Sequence, residues 1–483
     1  MFTPLVFASI LPEILILALA ILILIFEPFW KNDDQHRNAG WLTAGGLFLA
    51  MVVSLLFGRP GEPVTVLGGV IRFDWLGFFF KMLFMFSAAA TALLLMDHER
   101  AGKRGESYVL LLASLLGLNL MAVSSDLVML YLAIETASIP LYVLAGFLVS
   151  DERSTEAGFK YLLFGILAST IMLYGFSLMY GFTGTTNLYE IAGAFTSGSI
   201  STLLAFGIVA LVTVGLGFKV SLVPFHFWAP DVYEGSPTPI AGYLSTASKA
   251  AGFAVVLRLF FSALPEFANT WTLVLAALAA ITMTVGNLLA LPQTNIKRLL
   301  AYSSVSHAGY ALIGVVAFTQ LGAASVVFYV AAYILTNLLA FGIVMAFARI
   351  TATENIEDYS GLSRRNPFMA LMMLAAFLSL AGMPPFGGFV AKIFVFAAGV
   401  QAGYTWLVIV GIINSIIGMY YYLNVMKFVY LRRMPNEDED QYPVLLTRSY
   451  GLALVVLTIG VILIGTVFAP FFGWSDAGAL NLF

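Results

Sequence analysis

Lys-Val-Ser-Leu-Val-Pro-Phe-His-Phe-Trp-Ala-Pro-Asp-Val-Tyr-Glu-Gly-Ser-Pro-Thr-Pro, residues 219–239, runs on through Ile-Ala-Gly-Tyr-Leu-Ser-Thr-Ala-Ser to Lys249 and then to Arg258. The stretch sets two lysines in apolar surroundings, breaks the chain between them with prolines, and joins them by a short polar turn holding Asp231 and Glu234. A lysine at bilayer depth costs about 2.5–3.5 kcal/mol. Pro224 has no N–H to give the carbonyl of Val220. A helix that only spans lipid needs none of these features, so the pattern is that of a site that moves charge.

The rest of the chain supplies the membrane. Its 483 residues are 60% hydrophobic and 10% charged, with a mean hydropathy of +0.94, whereas a soluble protein carries about 25% charged residues. A net charge of −3 gives no footing for nucleic acid. With no cysteine, the chain can hold neither disulfides nor cysteine-ligated metal or iron–sulfur centres. Of its four histidines only His307 lies well inside an apolar run, which rules against a pair of axial haem ligands.

Runs of roughly 17–25 apolar residues predict an all-α, polytopic protein with fourteen spans. They fall near 5–28, 41–57, 75–96, 107–123, 126–149, 158–181, 202–223, 238–262, 271–291, 299–317, 324–349, 368–399, 405–429 and 449–472. The first reads as a retained span, being long and followed by charge rather than by small residues. Loops after odd-numbered spans hold sixteen Lys and Arg, and those after even-numbered spans hold only Arg59 and Arg72. That asymmetry places the odd loops in the cytoplasm and both termini on the outer side of a bacterial inner membrane. The loops are short, so any enzymatic head is expected in another protein.

Spans seven and twelve are odd in the same way. The twelfth reads Leu-Ala-Gly-Met-Pro-Pro-Phe-Gly-Gly-Phe-Val-Ala-Lys over 380–392, where Pro384 and Pro385 free the carbonyls of Leu380 and Ala381. Thirty-two residues make a straight helix of about 48 Å, which argues for two offset half-helices. Broken spans five apart run in opposite directions, the signature of an inverted repeat. The expected division is a three-span segment 1–106, repeats 107–262 (spans 4–8) and 263–429 (spans 9–13), and a last span within 430–483.

Five buried groups are candidates for the working site. Glu135, mid-span in Leu-Ala-Ile-Glu-Thr-Ala-Ser-Ile-Pro, is either a protonated carboxyl bonded to a neighbouring helix or an acid that exchanges protons with a lysine. Lys219 precedes the first break, and Lys249 lies eleven residues into span eight; both are far from an interface to snorkel to. His307, about 12 Å deep by helical rise, relays protons or simply packs. Lys392, past the second break, is an exit group or a lysine near a half-helix end. Lys81, Arg258 and Glu13 read as no more than snorkelling or moderately deep charges.

These residues resemble one family: the antiporter-like membrane subunits of respiratory complex I, and within it the subunit N type. The match extends over nearly the whole chain and is most specific at 224–237, 244–249, 295–307 and the span-twelve segment. The resemblance implies proton translocation driven by distant NADH–quinone electron transfer, with Glu135 and Lys219 as an ion pair, Lys249 as central relay and Lys392 as exit. It also implies other complex I membrane subunits on both flanks, with NADH, flavin, iron–sulfur clusters and quinone bound elsewhere in the complex and no cofactor in this chain. A subunit of a multi-subunit sodium/proton antiporter is the alternative. In that scheme the pair acts as a valve: a carboxylate about 4 Å away, at an effective dielectric near 20, steadies an ammonium by roughly 4 kcal/mol. Opening the pair releases the proton toward Lys249, His307 and Lys392.

Overall fold

The computed structural model describes residues 4–30, 33–98, 100–196, 201–433 and 443–482. In lipid every backbone N–H and C=O must be satisfied within its own segment, and the apolar runs accordingly fold as helices. The first segment comprises α1 (Pro4–Phe26), α2 (Asp33–Phe57), the hairpin of β1 (Val64–Val66) and β2 (Ile71–Phe73), and α3 (Trp75–Leu95). The first repeat holds α4 (Gly105–Val123), α5 (Leu127–Ala145), α6 (Glu152–Thr183), α7 (Leu188–Thr196), α8 (Thr202–Val220) and α9 (Trp228–Gly235). It closes with α10 (Thr238–Tyr243) and α11 (Lys249–Arg258), joined by a π-helical turn at Leu244–Ser248 and continued by a second at Leu259–Ala263. The second holds α12 (Ala268–Ala290), α13 (Ile296–Val316), α14 (Gln320–Thr351), α15 (Leu362–Arg365), α16 (Pro367–Ala381), α17 (Gly387–Gln401) and α18 (Thr405–Tyr430). The chain ends in α19 (Arg448–Thr466) and α20 (Phe468–Leu480).

Among the described residues thirteen helical runs are long and apolar enough to cross a membrane, and α16 and α17 are two shorter apolar helices of 15 residues each. Several charges counted as loop residues, among them Lys160, Lys297, Arg298 and Arg349, lie inside helix ends. The expected last span, 449–472, is divided at Val467. Its second piece, α20, packs on α14 and α3, with Gln320 Nε2 donating to Asp476 Oδ1 at 2.8 Å.

The two repeats match in detail. Asp126 caps α5 and pairs its backbone with Asn187, past the end of α6; Asn295 caps α13 and pairs with Asn355, past the end of α14. Helices α6 and α14 each run 32 residues. Both breaks begin with the same hydrogen-bonded ending, in which a left-handed residue closes the helix. At α8 this is Ser221 (φ 61°), with Leu222 N–H donating to Gly217 O; at α16 it is Gly382 (φ 83°), with Met383 N–H donating to Leu378 O. A cis X–Pro bond follows each, at Val223–Pro224 and Pro384–Pro385.

Candidate functional site

Lys219, Lys249, His307 and Lys392 are each only 3–6% exposed. Lys219 ends α8 one residue before the break, and its Nζ donates to Ser138 Oγ on α5 at 2.8 Å. Lys249 opens α11 directly after the π turn, and its Nζ donates to Ser304 Oγ on α13 at 2.7 Å. The side chain of Lys392 reaches back from α17 across the second break. It donates to Leu380 O at 3.2 Å, Ala381 O at 3.1 Å and Ser415 Oγ on α18 at 2.7 Å, and lies 4.7 Å from the ring centre of Tyr310. The carbonyls freed by Pro384 and Pro385 are thus the ones this lysine takes up, which fixes its amine at the break.

His307 sits among tyrosines of three helices. Its Nδ1 is 2.7 Å from Tyr329 OH, its Nε2 is 3.3 Å from Tyr422 OH, and its ring lies 5.1 Å from that of Tyr333 and 5.8 Å from that of Tyr310. Tyr329 and Tyr333, one turn apart on α14, are the signal for this cage that the sequence carries.

Glu135 departs from expectation. It is half-buried on α5, Oε1 has no hydrogen-bond partner, and the expected ion pair with Lys219 is not formed. Ser138, one turn along the same helix, takes the lysine instead.

Two further readings are corrected. Lys81 does not snorkel: its Nζ pairs with Glu13 Oε1 at 2.8 Å and donates to Ser9 O at 2.9 Å. Arg258 is buried, and its NH1 and NH2 each donate to the Asp74 carboxylate at 2.9 Å while Nε donates to Ala122 O. Each pair joins two elements: Glu13 on α1 with Lys81 on α3, and Asp74 at the cap of α3 with Arg258 on α11.

The polar turn between the lysines is clamped at the face where the odd-numbered loops meet. Asp231 Oδ2 accepts from Lys160 at 2.6 Å and Oδ1 from Arg298 at 2.9 Å, and Arg298 also holds Glu234 Oε2 at 2.7 Å. Burial pushes the Asp231 carboxyl up, but the hydrogen bonds from Lys160 and Arg298 outweigh it and hold the group below its usual value. Lys297 donates to Glu234 O at 2.6 Å and Ser236 O at 2.9 Å and pairs with Glu354 at 3.1 Å. Beside it opens a polar cavity of about 500 Å³, lined by His98, Glu234, Asn295, Lys297 and Glu354. Among the described residues no cluster of three or more His, Cys, Asp or Glu could hold a metal ion.

Ser138 and Ser304 give their own protons to Ile134 O and Ala301 O and accept from Lys219 and Lys249. An ammonium and a neutral amine both carry N–H groups to donate, so each of these lysines keeps its serine bond in either protonation state.

Residues 124–418 match the family described as NADH:quinone oxidoreductase/Mrp antiporter, TM. A curated relative, NADH-quinone oxidoreductase subunit N of Moorella thermoacetica, is 42% identical over 98% of both chains. NAD(P)H-quinone oxidoreductase subunit 2 of Nostoc punctiforme is 39% identical over 98% of this chain and 90% of its own. Among solved structures, a chain of respiratory complex I from Thermus thermophilus with bound aureothin is 32% identical, with a TM-score of 0.78 over 96% of this chain and 98% of that one. A chain of the Mrp complex from Dietzia sp. shares the fold at 21% identity and a TM-score of 0.87, over 100% and 98%.

Proposed function

Since the chain belongs to the NADH:quinone oxidoreductase/Mrp antiporter family of membrane subunits, we propose that it is a proton-translocating subunit, of the subunit N type, in a complex I that oxidises NADH with quinone. One observation carries the reading. Cations with a structural duty here are paired with carboxylates: Lys81 with Glu13, Arg258 with Asp74, Lys297 with Glu354. Lys219, Lys249 and Lys392, equally buried, have no carboxylate within ion-pair distance among the described residues and are each held by a serine hydroxyl. Burying an unpaired ammonium is costly, and an amine that must give up and regain a proton is a reason to bear that cost.

In this scheme the repeats 107–262 and 263–429 are two half-channels joined at Lys249 and His307. The gap between Glu135 and Lys219 is the open position of the valve, and closing it returns the proton to Lys219. Moving one charge against 100 mV costs roughly 2.3 kcal/mol, so a driving event must come from redox chemistry in other subunits, where NADH, flavin, iron–sulfur clusters and quinone are bound. The chain sits in a bacterial inner membrane with both termini outside, so tags in 97–106 and 351–367 are reached only from the cytoplasm.

Purification of the tagged chain from its native membrane tests the proposal. It should bring down a multi-subunit assembly that oxidises NADH with quinone; an assembly that instead exchanges sodium for protons and oxidises no NADH would replace this reading with the antiporter one.

A further inference from the structure

Two cavities of opposite character follow one another along one face of α6. At the end where the odd-numbered loops meet, a polar one of about 240 Å³ is lined by Arg153, Glu156 and Lys160 of α6, Asp231 and Glu234 of α9 and Arg298 of α13. Deeper along the helix, an apolar one of about 220 Å³ is walled by Phe164, Leu167 and Ile171 of α6, Val214 of α8, and Pro224 and Phe227 of the first break. The α6 positions 153, 156, 160, 164, 167 and 171 recur every three or four residues and so form a single stripe. Helix α9 borders both cavities too, with Trp228 at the apolar one and Asp231 at the polar one.

The polar cavity has donors to spare. Its three carboxylates are already taken: Asp231 by Lys160 and Arg298, Glu234 by Arg298, and Glu156 by Lys160. Arg298 makes these bonds through NH1 alone, which leaves its Nε and NH2. The exposed Arg153 guanidinium has no ion pair or hydrogen bond among the described residues. A guanidinium presents five N–H donors in a planar fork that fits a phosphate bidentately. The apolar cavity opens outward, since Phe164, Leu167 and Phe227 are 44%, 60% and 67% exposed.

Length selects the ligand. From Lys160 to Ile171 is eleven residues, or about 16 Å of helix, and half of a hydrocarbon core about 30 Å thick is about 15 Å. A chain anchored at the polar cavity and laid along the stripe therefore reaches the bilayer midplane, the depth of one leaflet. We propose that this face of α6 binds one phospholipid of the leaflet on the side of the odd-numbered loops, its phosphodiester held by Arg153 and Arg298 and one acyl chain lying in the groove beside the first break. The phosphate supplies the acceptor oxygens that these donors lack, and the chain covers the apolar side chains left open. An apolar helix of another subunit would fill the groove but leave the donors of Arg153 and Arg298 unused. The site stands apart from the proton-translocation reading, and its test measures binding alone.

The probe is a phosphatidylglycerol carrying a diazirine in one acyl chain, added to the assembled complex in detergent, irradiated, and mapped by mass spectrometry of the digested chain. Adducts should concentrate on 164–171 and 224–228. Unlabelled phosphatidylglycerol should reduce them at least fivefold, whereas glycerol phosphate, which has no chain, and diacylglycerol, which has no phosphate, should not. Arg153→Gln, at the head, and Leu167→Trp, in the groove, change exposed side chains and should each cut the labelling at least fivefold at matched amounts of complex. The competition arms use the parent alone, so they decide the matter even where a variant assembles poorly. Adducts spread evenly over the exposed helices would overturn the proposal, as would parent-level labelling of either variant or displacement by glycerol phosphate or by diacylglycerol. A map of the assembled complex with a helix of another subunit seated in the groove would overturn it as well.

Discussion

Removing the Asp74 carboxylate should be among the most damaging single changes in the first segment. Asp74 accepts both terminal nitrogens of Arg258 at 2.9 Å and caps α3 by accepting from Gly77 N–H at 2.9 Å, with the Arg258 and Asp74 side chains 2% and 0% exposed. Asp74→Ala strands a buried guanidinium, a loss of about 3–5 kcal/mol, and removes a helix cap worth about 1 kcal/mol. Arg72, whose Nε lies 3.6 Å from Asp74, offers no substitute because it too is a cation. The expected total is about 4–6 kcal/mol, read as a large fall in the thermal midpoint of the purified assembly and in its yield on a native gel. Adding Arg258→Met should recover most of the loss, since the double variant buries no unpaired charge, leaving about 1–2 kcal/mol from the cap and the lost packing. An Asp74→Ala protein as stable as the parent, or a double variant less stable than Asp74→Ala, would refute the argument.

Gly388→Ala should block formation of the second break, because an added Cβ would stand 1.9 Å from the backbone oxygen of Ser379; Gly45→Ala, with nothing within 4 Å, should assemble like the parent, and native-gel yield compares them. His98 should make stability fall in mild acid. Burial, with Lys297 and Arg100 adding to it, lowers its pKa to about 4, so the unfolded chain binds the extra proton between about pH 6.5 and 4. Its stability contribution is whole above pH 6.5 and is lost as pH falls toward 4; the thermal midpoint of His98→Gln should therefore decline less than the parent's between pH 7 and pH 5.

The breaks were legible because proline removes a named hydrogen bond: Pro384 and Pro385 pointed to Leu380 and Ala381, and those carbonyls are the ones Lys392 takes. Length was the weaker half of that argument. Helices α6 and α14 each run 32 residues unbroken, so it is the prolines, not the span's length, that divide α16 from α17. The depth of Lys249, His307 and Lys392 could be counted along the chain, but their partners could not, since Ser304, Tyr329, Tyr422 and Ser415 arrive from other helices. The same limit misdirected Glu135. A carboxylate and a lysine at mid-span suggest a pair, yet the choice between Glu135 and Ser138, one turn apart, depends on how α8 packs on α5. Arg258 and Lys81 were misread because an ion pair between helices relieves the need to snorkel.

The central claim is that the serine-held lysines carry protons, and Lys249 is where it is most exposed to test. Proton uptake into vesicles and NADH–quinone turnover should be measured on Lys249→Ala, Lys249→Arg and Lys249→His at matched amounts of assembled complex. The alanine variant should assemble, because removing a buried charge relieves its desolvation cost, and should lose coupled pumping. Arginine should not restore it, since a guanidinium does not release its proton, and histidine should restore part of it. A Lys249→Ala complex that assembles, turns over and pumps like the parent would make Lys249 a structural lysine and contradict the account.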